Sequence, residues 1–226
     1  MNWQGRNSLV LGATGGIGRA MMDHLGDKGC RVVGLSRADS LDWQHPEQAE
    51  QALIDVAAQG PFDLVFDATG ALQIDGIGPE KSLSAINADA MSAQFAVNAI
   101  GPAILLKQYR RLLPRTGRSM IATLSARVGS IGDNRLGGWI AYRASKAALN
   151  QIIRTASIEI ARTNAEAVVV ALHPGTVYTG LSDKFVKEDK TRQPMTAAHE
   201  LISVLEGLEP GDSGKFYAYD GSEIPW

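Results

Sequence analysis

The stretch SLVLGATGGIGRA, residues 8–20, joins a short apolar run to the start of a helix through a glycine-rich turn. Gly12, Gly16 and Gly18 have the spacing G-x-x-x-G-x-G, which permits a tight turn and a close approach of backbone amides to a ligand. The amino end of a helix also attracts phosphate groups. The stretch therefore predicts a dinucleotide-binding loop, and the alternative is a turn that serves only helix packing. The predicted contacts of this loop are Gly12, Thr14, Gly16, Ile17 and Gly18.

Strands and helices alternate along the rest of the chain, and the strands are continuous apolar runs. Such runs indicate strands that are buried on both faces of a parallel sheet. The predicted strands lie in NSLVLG, RVVGLSR, a small third strand around Leu41, FDLVFDATG, RSMIATLS, AVVVALHPG and GKFYAYDG. The fold class is therefore α/β, with a doubly wound, mostly parallel sheet. No repeat or linker interrupts it, so residues 1–226 are predicted to form a single domain.

Helical patterns separate these strands. The first helix follows the glycine loop and ends at Gly29, and the second covers residues 46–58 with a proline at its start. One long helix is predicted over residues 84–113, where Pro102 should bend it or interrupt its regularity. Another long helix is predicted over residues 138–162.

The composition is that of a globular protein, with 226 residues, 45% hydrophobic and 20% charged. The net charge of −2 gives no reason to expect nucleic acid or an anionic membrane as a partner. Cys30 is the single cysteine and cannot form an internal disulfide. The four histidines lack metal-ligand spacing, so no metal is expected. Because the chain shows no leader-like start and no run of about 18 apolar residues, we expect a cytoplasmic protein.

The end of the second strand selects between the two nicotinamide dinucleotides. NAD calls for a carboxylate there, whereas this chain has Ser36 followed by Arg37, a hydroxyl and a cation suited to a 2′-phosphate. Arg19, in the first helical turn, could add a second cation. The sequence favours NADP(H), with NAD(H) as the alternative if Asp39 folds back toward the ribose. Asp42, near the end of the short third strand, is expected to face the adenine.

The motif YRASK, residues 142–146, places a tyrosine and a lysine on one face of a helix. An ordinary tyrosine has a pKa of about 10, and a neighbouring ammonium lowers that pKa by favouring the phenolate. Tyr142 could then give a proton to a carbonyl oxygen as hydride reaches the carbon, or remove it in the reverse reaction. For an isolated pair, the alternative is a partly exposed tyrosine beside a surface lysine.

Five motifs in the same order give the chain a resemblance to the short-chain dehydrogenase/reductase family. The motifs are GATGGIG, DATG at residues 67–70, VNAIGP with Asn98, YRASK, and HPGTVYT at residues 173–179. The resemblance covers nearly all of the sequence and implies the family's Rossmann fold. The segments SARVGSIGDN and YDGSEIPW further resemble the compact C-factor-like, carbonyl-reductase-like branch of the family.

The resemblance implies a role for each matching residue. Tyr142 is implied as the general acid/base, and Lys146 as the residue that lowers its pKa and holds the nicotinamide ribose. Asn98 is implied to order a water between Lys146 and solvent, and the alternative is a structural amide inside a helix. Thr179 is implied to touch the pyrophosphate and Val177 the carboxamide, although Thr179 could also cap a helix. The implied cofactor contacts of the later motifs are Ala68, Thr69, Gly70, Tyr142, Lys146, Pro174, Gly175, Val177 and Thr179.

The serine that polarises the substrate carbonyl is where this chain departs from the family pattern. The family commonly uses the second of two adjacent serines, whereas TLSARVGS has Ser125 in the first place and Ala126 in the second. Ser125 is the expected catalytic serine, although adjacent residues of a strand point to opposite faces. Ser130 and Asn134, in the loop that follows, are the alternatives.

The sequence thus predicts an NADPH-dependent oxidoreductase that interconverts a small ketone or aldehyde with an alcohol. The alternative is a dinucleotide-binding signalling or regulatory protein with weak or vestigial catalysis, which Ala126 and the C-factor-like ending favour. The resemblance also implies a homodimer or homotetramer packed through the two long helices. A mobile substrate lid is implied over residues 182–194, and the alternative is an exposed charged face.

Overall fold

One parallel sheet forms the centre of the molecule. The computed structural model describes residues 2–180 and 191–226, so most of the predicted lid lies outside the described residues. The strands are β1 (Asn7–Leu11), β2 (Arg31–Leu35), β3 (Leu64–Asp67), β4 (Ser119–Leu124), β5 (Ala167–His173) and β6 (Phe216–Ala218). Their order across the sheet is β2-β1-β3-β4-β5-β6, and all neighbouring pairs are parallel. The described residues therefore have the predicted doubly wound α/β fold in one domain.

Helices cover both faces of this sheet. They are α1 (Gly16–Asp27), α2 (Pro46–Val56), α3 (Ala88–Phe95), α4 (Gly101–Lys107), α5 (Tyr109–Leu112), α6 (Ile140–Ala161) and α7 (Pro194–Gly207). α1 ends where the sequence predicts, because Gly29 has a φ of +76° and its N–H donates to the carbonyl oxygen of Gly26. Across the described ranges, no helix combines the length and the apolar character that crossing a bilayer requires.

Alternate strand residues build two cores, one on each face of the sheet. In β5, Val169 and Ala171 pack in the core that contains residues of α2, α4 and α6. Val168 and Val170, between them, pack in the core that contains residues of α1 and α7. Both sets are fully buried or nearly so. Burial on both faces is the reason that the strands read as continuous apolar runs.

The order of the strands creates a crevice at the carboxyl edge of the sheet. β1 pairs with β2 on one side and with β3 on the other. From β1 the chain continues to the strand on one side, β2, whereas from β3 it continues to strands on the other side, β4 to β6. The loops that follow β1 and β3 therefore diverge to opposite faces. Ligands of open α/β sheets bind at such a switch point, and the glycine turn after β1 lies there.

The prediction of a small strand around Leu41 is wrong. Arg37–Asp39 forms a 3-10 turn, and Ser40 follows with a φ of 64°. The N–H of Leu41 then bonds back to the carbonyl oxygen of Ser36 instead of to a strand. Leu41 is buried in the core with α2, so its apolar character serves packing, and β2 is the edge of the sheet.

The long helix predicted over residues 84–113 is interrupted in the way that its proline indicates. Ala96–Ile100 forms a π-helical turn between α3 and α4. Pro102 has no N–H, so the carbonyl oxygen of Asn98 lacks the bond that a regular helix would give it. Regular helix also begins later than predicted, at Ala88, where the side chain of Asn87 accepts the N–H of Ala90.

The close contact between Gly101 and Trp43 gives a test of this packing. A Cβ at Gly101 would overlap the indole ring of Trp43, which is buried and leaves no flexible tip to move. We expect Gly101→Ala to lower the free energy of unfolding by about 1–3 kcal/mol in denaturant titrations. Gly26→Ala is the matched control, because nothing lies within 4 Å of its added Cβ. This control should be neutral or stabilising by up to about 1 kcal/mol, and equal losses in both variants would contradict the packing described.

Candidate active site

A cleft of about 730 Å³ opens along the carboxyl edge, where β1, β3, β4 and β5 end. Its volume lies within the range of about 300–1,000 Å³ that is typical of small-ligand sites. The predicted site residues that line it are Gly16, Ile17, Gly18, Ala68, Thr69, Gly70, Ser125, Tyr142, Lys146, Pro174, Gly175, Val177 and Thr179. The predicted residues outside its lining are Gly12, Thr14, Ser36, Arg37, Asp42 and Asn98.

The glycine turn has room for backbone but not for side chains. Gly12 has a φ of +75°, and a Cβ there would lie 3.0 Å from the backbone carbonyl group of Ala68. A Cβ at Gly18 would overlap the carbonyl oxygen of Gly12, and a Cβ at Gly16 would lie 2.6 Å from Cγ2 of Thr179. The turn therefore brings the start of α1 close to the ends of β1, β3 and β5, and leaves its backbone facing the cleft.

The end of β2 is organised by a local hydrogen-bond pair. The carboxylate of Asp39 accepts bonds from both the N–H and the hydroxyl of Ser36, each 2.9 Å long. Arg37 is exposed, and its guanidinium makes no hydrogen bond or ion pair with the described residues. The carboxylate of Asp42 accepts the N–H of Gln44. The residues before it form no third strand, and the contact of Asp42 with the adenine stays a prediction.

Tyr142 and Lys146 are both buried on α6 and both line the cleft. The ammonium of Lys146 donates to the carbonyl oxygen of Leu124 at the end of β4, 2.9 Å away. Burial lowers the pKa of Lys146 to about 8, against the opposing effect of Asp67. Burial raises the pKa of Tyr142 to about 12, opposite to the lowering that the sequence predicted. Tyr142 is therefore protonated at neutral pH.

Asn98 and Lys146 meet at Gly70. A Cβ at Gly70 would lie 3.1 Å from Oδ1 of Asn98 and 3.3 Å from Nζ of Lys146. Asn98 is fully buried in the π-helical turn, where Oδ1 accepts the N–H of Ala71 and Nδ2 donates to Ala71 and to Gln94. Its amide thus anchors the chain after β3 next to the lysine.

A buried carboxyl group lies close to the same point. Asp67, at the end of β3, accepts from the N–H and the hydroxyl of Thr69, and this hydroxyl accepts from the indole N–H of Trp43. Burial raises the pKa of Asp67, while these bonds and the charge of Lys146 act in the opposite direction. Oδ2 of Asp67 has no hydrogen-bond partner among the described residues.

The structure separates the three side chains that were considered as donors to the substrate carbonyl. Ser125 lines the cleft, and its hydroxyl donates to Oδ1 of Asn150 over 2.7 Å. Ser130, one alternative, donates to the carbonyl oxygen of Pro225 instead, and Asn134, the other, accepts the N–H of Gly137. Neither alternative lines the cleft. Ser125 is thus the one of these three side chains that the fold brings to the site.

His173 ends β5 beside the cleft and carries no charge at neutral pH. Burial, and next the charges of Arg127 and Arg192, lower the pKa of His173 to about 4. Its Nδ1 has no hydrogen-bond partner among the described residues. A neutral histidine at the strand end contributes no positive charge to the cleft.

Sequence reasoning missed most of the loop between β4 and α6. The lining residues it did not identify as contacts include Leu72, Arg127, Val128, Asp133, Arg135, Leu136, Trp139, Arg143 and Thr176. Arg143 holds this loop, because its guanidinium donates to the carbonyl oxygens of Val128, Gly137 and Gly138. The only available signal was its place inside the YRASK motif.

Two distant segments also fix this loop and the helix that follows it. The carbonyl oxygen of Trp226 accepts the N–H of Gly132, next to the bond between Ser130 and Pro225. The carboxylate of Glu80 accepts the N–H of Ala141 over 2.6 Å and so caps α6 one residue before Tyr142. No side chain within α6 supplies this cap, and the N-cap residue Trp139 has a φ of 52°.

The sheet order, the glycine turn after β1 and the buried tyrosine–lysine pair define a Rossmann-fold oxidoreductase. A sequence profile of the short chain dehydrogenase family matches residues 6–190, and the chain belongs to this family. It is 30% identical to 1-hydroxy-2-glutathionyl-2-methyl-3-butene dehydrogenase of Rhodococcus sp. (strain AD45), over 96% of this chain and 98% of the relative. It is 32% identical to C-signal of Myxococcus xanthus, over 74% of this chain and 94% of the relative.

Solved structures share the whole fold. A chain from Burkholderia multivorans, described as a short-chain dehydrogenase/reductase with bound NADP, superposes with a TM-score of 0.79 at 25% identity. The alignment covers 98% of this chain and 99% of that one. NADPH-bound carbonyl reductase from chicken fatty liver superposes with a TM-score of 0.82 at 23% identity, over 99% and 100% of the two chains.

The burial of Lys146 predicts that this residue lowers the free energy of unfolding of the protein. Its pKa falls from 10.5 to about 8, and one pKa unit corresponds to about 1.4 kcal/mol, so the charged form costs about 3 kcal/mol when folded. We expect Lys146→Met to raise the free energy of unfolding at pH 7 by about 2 kcal/mol, after loss of the bond to Leu124.

Between pH 8 and 10.5 the unfolded chain binds the lysine proton more tightly than the folded one, so native stability rises with pH there. The advantage of the methionine variant should therefore shrink in denaturant titrations at about pH 9.5. Lys107→Met is the control, since Lys107 is exposed and paired with Glu50, and should show no such gain. The same gain at both pH values would mean that Lys146 keeps its proton over this range and that its pKa is not lowered in the folded protein.

Proposed function

We propose that the protein is an NADP(H)-dependent oxidoreductase that interconverts a ketone or aldehyde with an alcohol. The observation that carries this proposal is the burial of Tyr142 and Lys146 in the cleft that starts at the glycine turn. Membership of the short chain dehydrogenase family supports it. The Rhodococcus relative is named as a dehydrogenase of a hydroxy compound, which is the reverse direction of the same reaction.

The glycine turn fits a dinucleotide, because its backbone faces the cleft and added side chains would fill the space. We assign the pyrophosphate to the N–H groups at the start of α1 and the adenosine to the end of β2. There the carboxylate of Asp39 is taken up by Ser36, and Arg37 offers a cation, which favours NADP(H) over NAD(H). The Burkholderia structure with bound NADP supports this choice. Bound nicotinamide supplies or accepts the hydride.

Tyr142 exchanges the proton at the substrate oxygen. Its raised pKa of about 12 keeps the hydroxyl protonated at neutral pH, so the protein is set to donate that proton during carbonyl reduction. Lys146, with a pKa of about 8, is mostly charged at neutral pH and stabilises the phenolate that remains. Asn98 keeps the chain after β3 next to Lys146, and we propose that a water at this point returns the proton from solvent.

Ser125 is the proposed donor to the substrate carbonyl. Its hydroxyl hydrogen is directed at Asn150, so donation to substrate requires the hydroxyl to rotate away from this partner. A hydroxyl rotates about one bond at little cost, and Asn150 keeps a weaker bond from its Nδ2 to Gly129. Positioned donors aimed at developing charge are among the largest contributions to such reactions.

A signalling or regulatory role with weak catalysis is the second candidate. It is supported by the identity of 32% to C-signal and by Ala126 in place of the family's usual serine. Tight NADPH binding without turnover of any carbonyl would favour it over the enzyme.

We further propose a homodimer or homotetramer that is packed through the long helices. Ile100, at the end of the π-helical turn before α4, and Ile158, on α6, are apolar and about half exposed, at 51% and 46%. Exposed apolar side chains on adjacent helices fit an interface between copies.

The role of Tyr142 is tested by Tyr142→Phe, which keeps the ring that packs edge-on against Trp139 with centroids 6.3 Å apart. We expect kcat/KM for carbonyl reduction to fall by about 10³-fold because proton transfer is lost. The Kd for NADPH should stay within about twofold, as measured by calorimetry. Tyr109→Phe is the control, because Tyr109 bonds to Thr163 outside the cleft, and should leave both values unchanged. Full turnover by Tyr142→Phe would contradict the proposed role of Tyr142 in proton transfer.

Ser125→Ala tests the carbonyl donor. We expect kcat to fall by about 10²-fold with NADPH binding unchanged, because one donor to the developing oxyanion is lost. Ser157→Ala removes a buried hydroxyl of the same size that bonds within α6, and should leave kcat unchanged. An unaffected Ser125→Ala enzyme, together with a gain in kcat on Ala126→Ser, would show that the donor position is residue 126 and that Ser125 has no such role.

A further inference from the structure

The lining of the cleft carries more positive than negative charge. Its charged lining residues are Arg127, Asp133, Arg135, Arg143 and Lys146. Asp133 is the one carboxylate among the described lining residues, and His173 is neutral there. Lys146 is buried and committed to Leu124. Three arginines therefore face the cleft with one acid between them.

These arginines lie away from the phosphates of a dinucleotide. All three are in the segment from the end of β4 to the first turn of α6, the segment that leads into Tyr142. In the sheet, β3 separates β4 from β1, so the glycine turn lies two strand spacings away, or about 10 Å. The end of β2, assigned to the adenosine, lies one strand further. The cations consequently face the space beside Tyr142, where the substrate must lie.

Two of the three arginines have no carboxylate partner. Arg127 is paired with Asp133 over 3.1 Å, and that pair is close to neutral. Arg143 is held by three backbone carbonyl oxygens, which fix its guanidinium without cancelling its charge. Arg135 is exposed and makes no hydrogen bond or ion pair with any described residue. A fixed cation and a free one thus share the mouth of the cleft.

Apolar side chains line the cleft together with these cations. Leu136 is 91% exposed, directly after Arg135, and it lines the cleft with Leu72, Val128 and Trp139. A group of apolar side chains that lines an open cleft is typical of a ligand-binding groove. The combination calls for a molecule with an apolar body and an anionic end.

We propose that the protein selects carbonyl substrates that carry a carboxylate beyond an apolar body, and that Arg135 receives this carboxylate. Guanidinium groups bind carboxylates through two parallel N–H bonds. Arg143 strengthens the positive potential from its fixed place, and Leu136 and Trp139 cover the apolar part. This selectivity rests on the proposed carbonyl–alcohol activity and names its substrate class.

The experiment compares oxo acids with their methyl esters, starting with 4-acetylbenzoate and methyl 4-acetylbenzoate, in which the ring separates the ketone from the carboxylate, and continuing with longer aryl oxo acids. NADPH consumption is followed for the native protein, Arg135→Gln and the control Arg115→Gln. Arg115 is exposed at the opposite, amino end of β4 and lies outside the cleft.

We expect the native protein and the control to favour the acid that fits best over its ester by at least about tenfold in kcat/KM, equivalent to about 1.4 kcal/mol. Arg135→Gln should lose this preference through the acid alone, and the preference of the native protein should weaken with added salt. Equal kcat/KM for acids and esters throughout the series, or an equal loss for both in Arg135→Gln, would overturn the proposal.

Binding separates this proposal from the reaction on which it rests. Calorimetry of acid and ester is repeated on Tyr142→Phe protein loaded with NADPH, which is not expected to turn over. If the native protein reduces no carbonyl but the acid still binds more tightly than the ester through Arg135, then the carboxylate site stands and the proposed reaction is wrong. If acid and ester bind equally, the carboxylate site is wrong, whatever the turnover.

Discussion

The hydrogen bond from the ammonium of Lys146 to the carbonyl oxygen of Leu124 is the contact on which the site depends. It ties the second turn of α6 to the end of β4, and it places a charge where water is largely excluded. Glycines surround the lysine for this reason. A Cβ at Gly129 would lie 2.7 Å from Cβ of Lys146, and Gly70 leaves the space between Lys146 and Asn98 open. Burying an ammonium costs free energy that the two apolar cores must offset, so the stability of the sheet is what holds the tyrosine and lysine together.

Short sequence patterns were sufficient to predict most of the fold. Gly12 and Gly18 could be interpreted from sequence because a strand, a tight turn and a helix follow one another within a few residues. Tyr142 and Lys146 could be paired because helical spacing alone places them on one face. Leu41 shows the limit of such patterns. A single buried apolar residue looks the same in a strand and in a turn that packs on a core, and only the hydrogen bonds of its backbone separate the two.

The parts of the site that escaped prediction depend on contacts between distant segments. The rotation of Ser125 toward Asn150 involves two residues 25 positions apart, and the bond from Ser130 to Pro225 spans 95 positions. Electrostatic balance was also inaccessible. The pKa of Tyr142 depends on how deeply the ring is buried and on where the neighbouring ammonium points, and the sequence motif specifies neither. The arginines of the β4–α6 loop have no periodic pattern, so their common orientation became visible only in the folded chain.

Glu80 caps α6 although it lies far from Tyr142 in the sequence, so one residue that positions the tyrosine is outside its motif. The segment between β3 and α3 contributes this carboxylate from 61 positions before Ala141. In evolutionary terms, a change at residue 80 could tilt the first turn of α6, and with it the tyrosine, while every residue of the YRASK motif stayed the same. Lineages with identical motifs could in this way diverge in the substrates they accept, and a comparison confined to the motif would not register the difference.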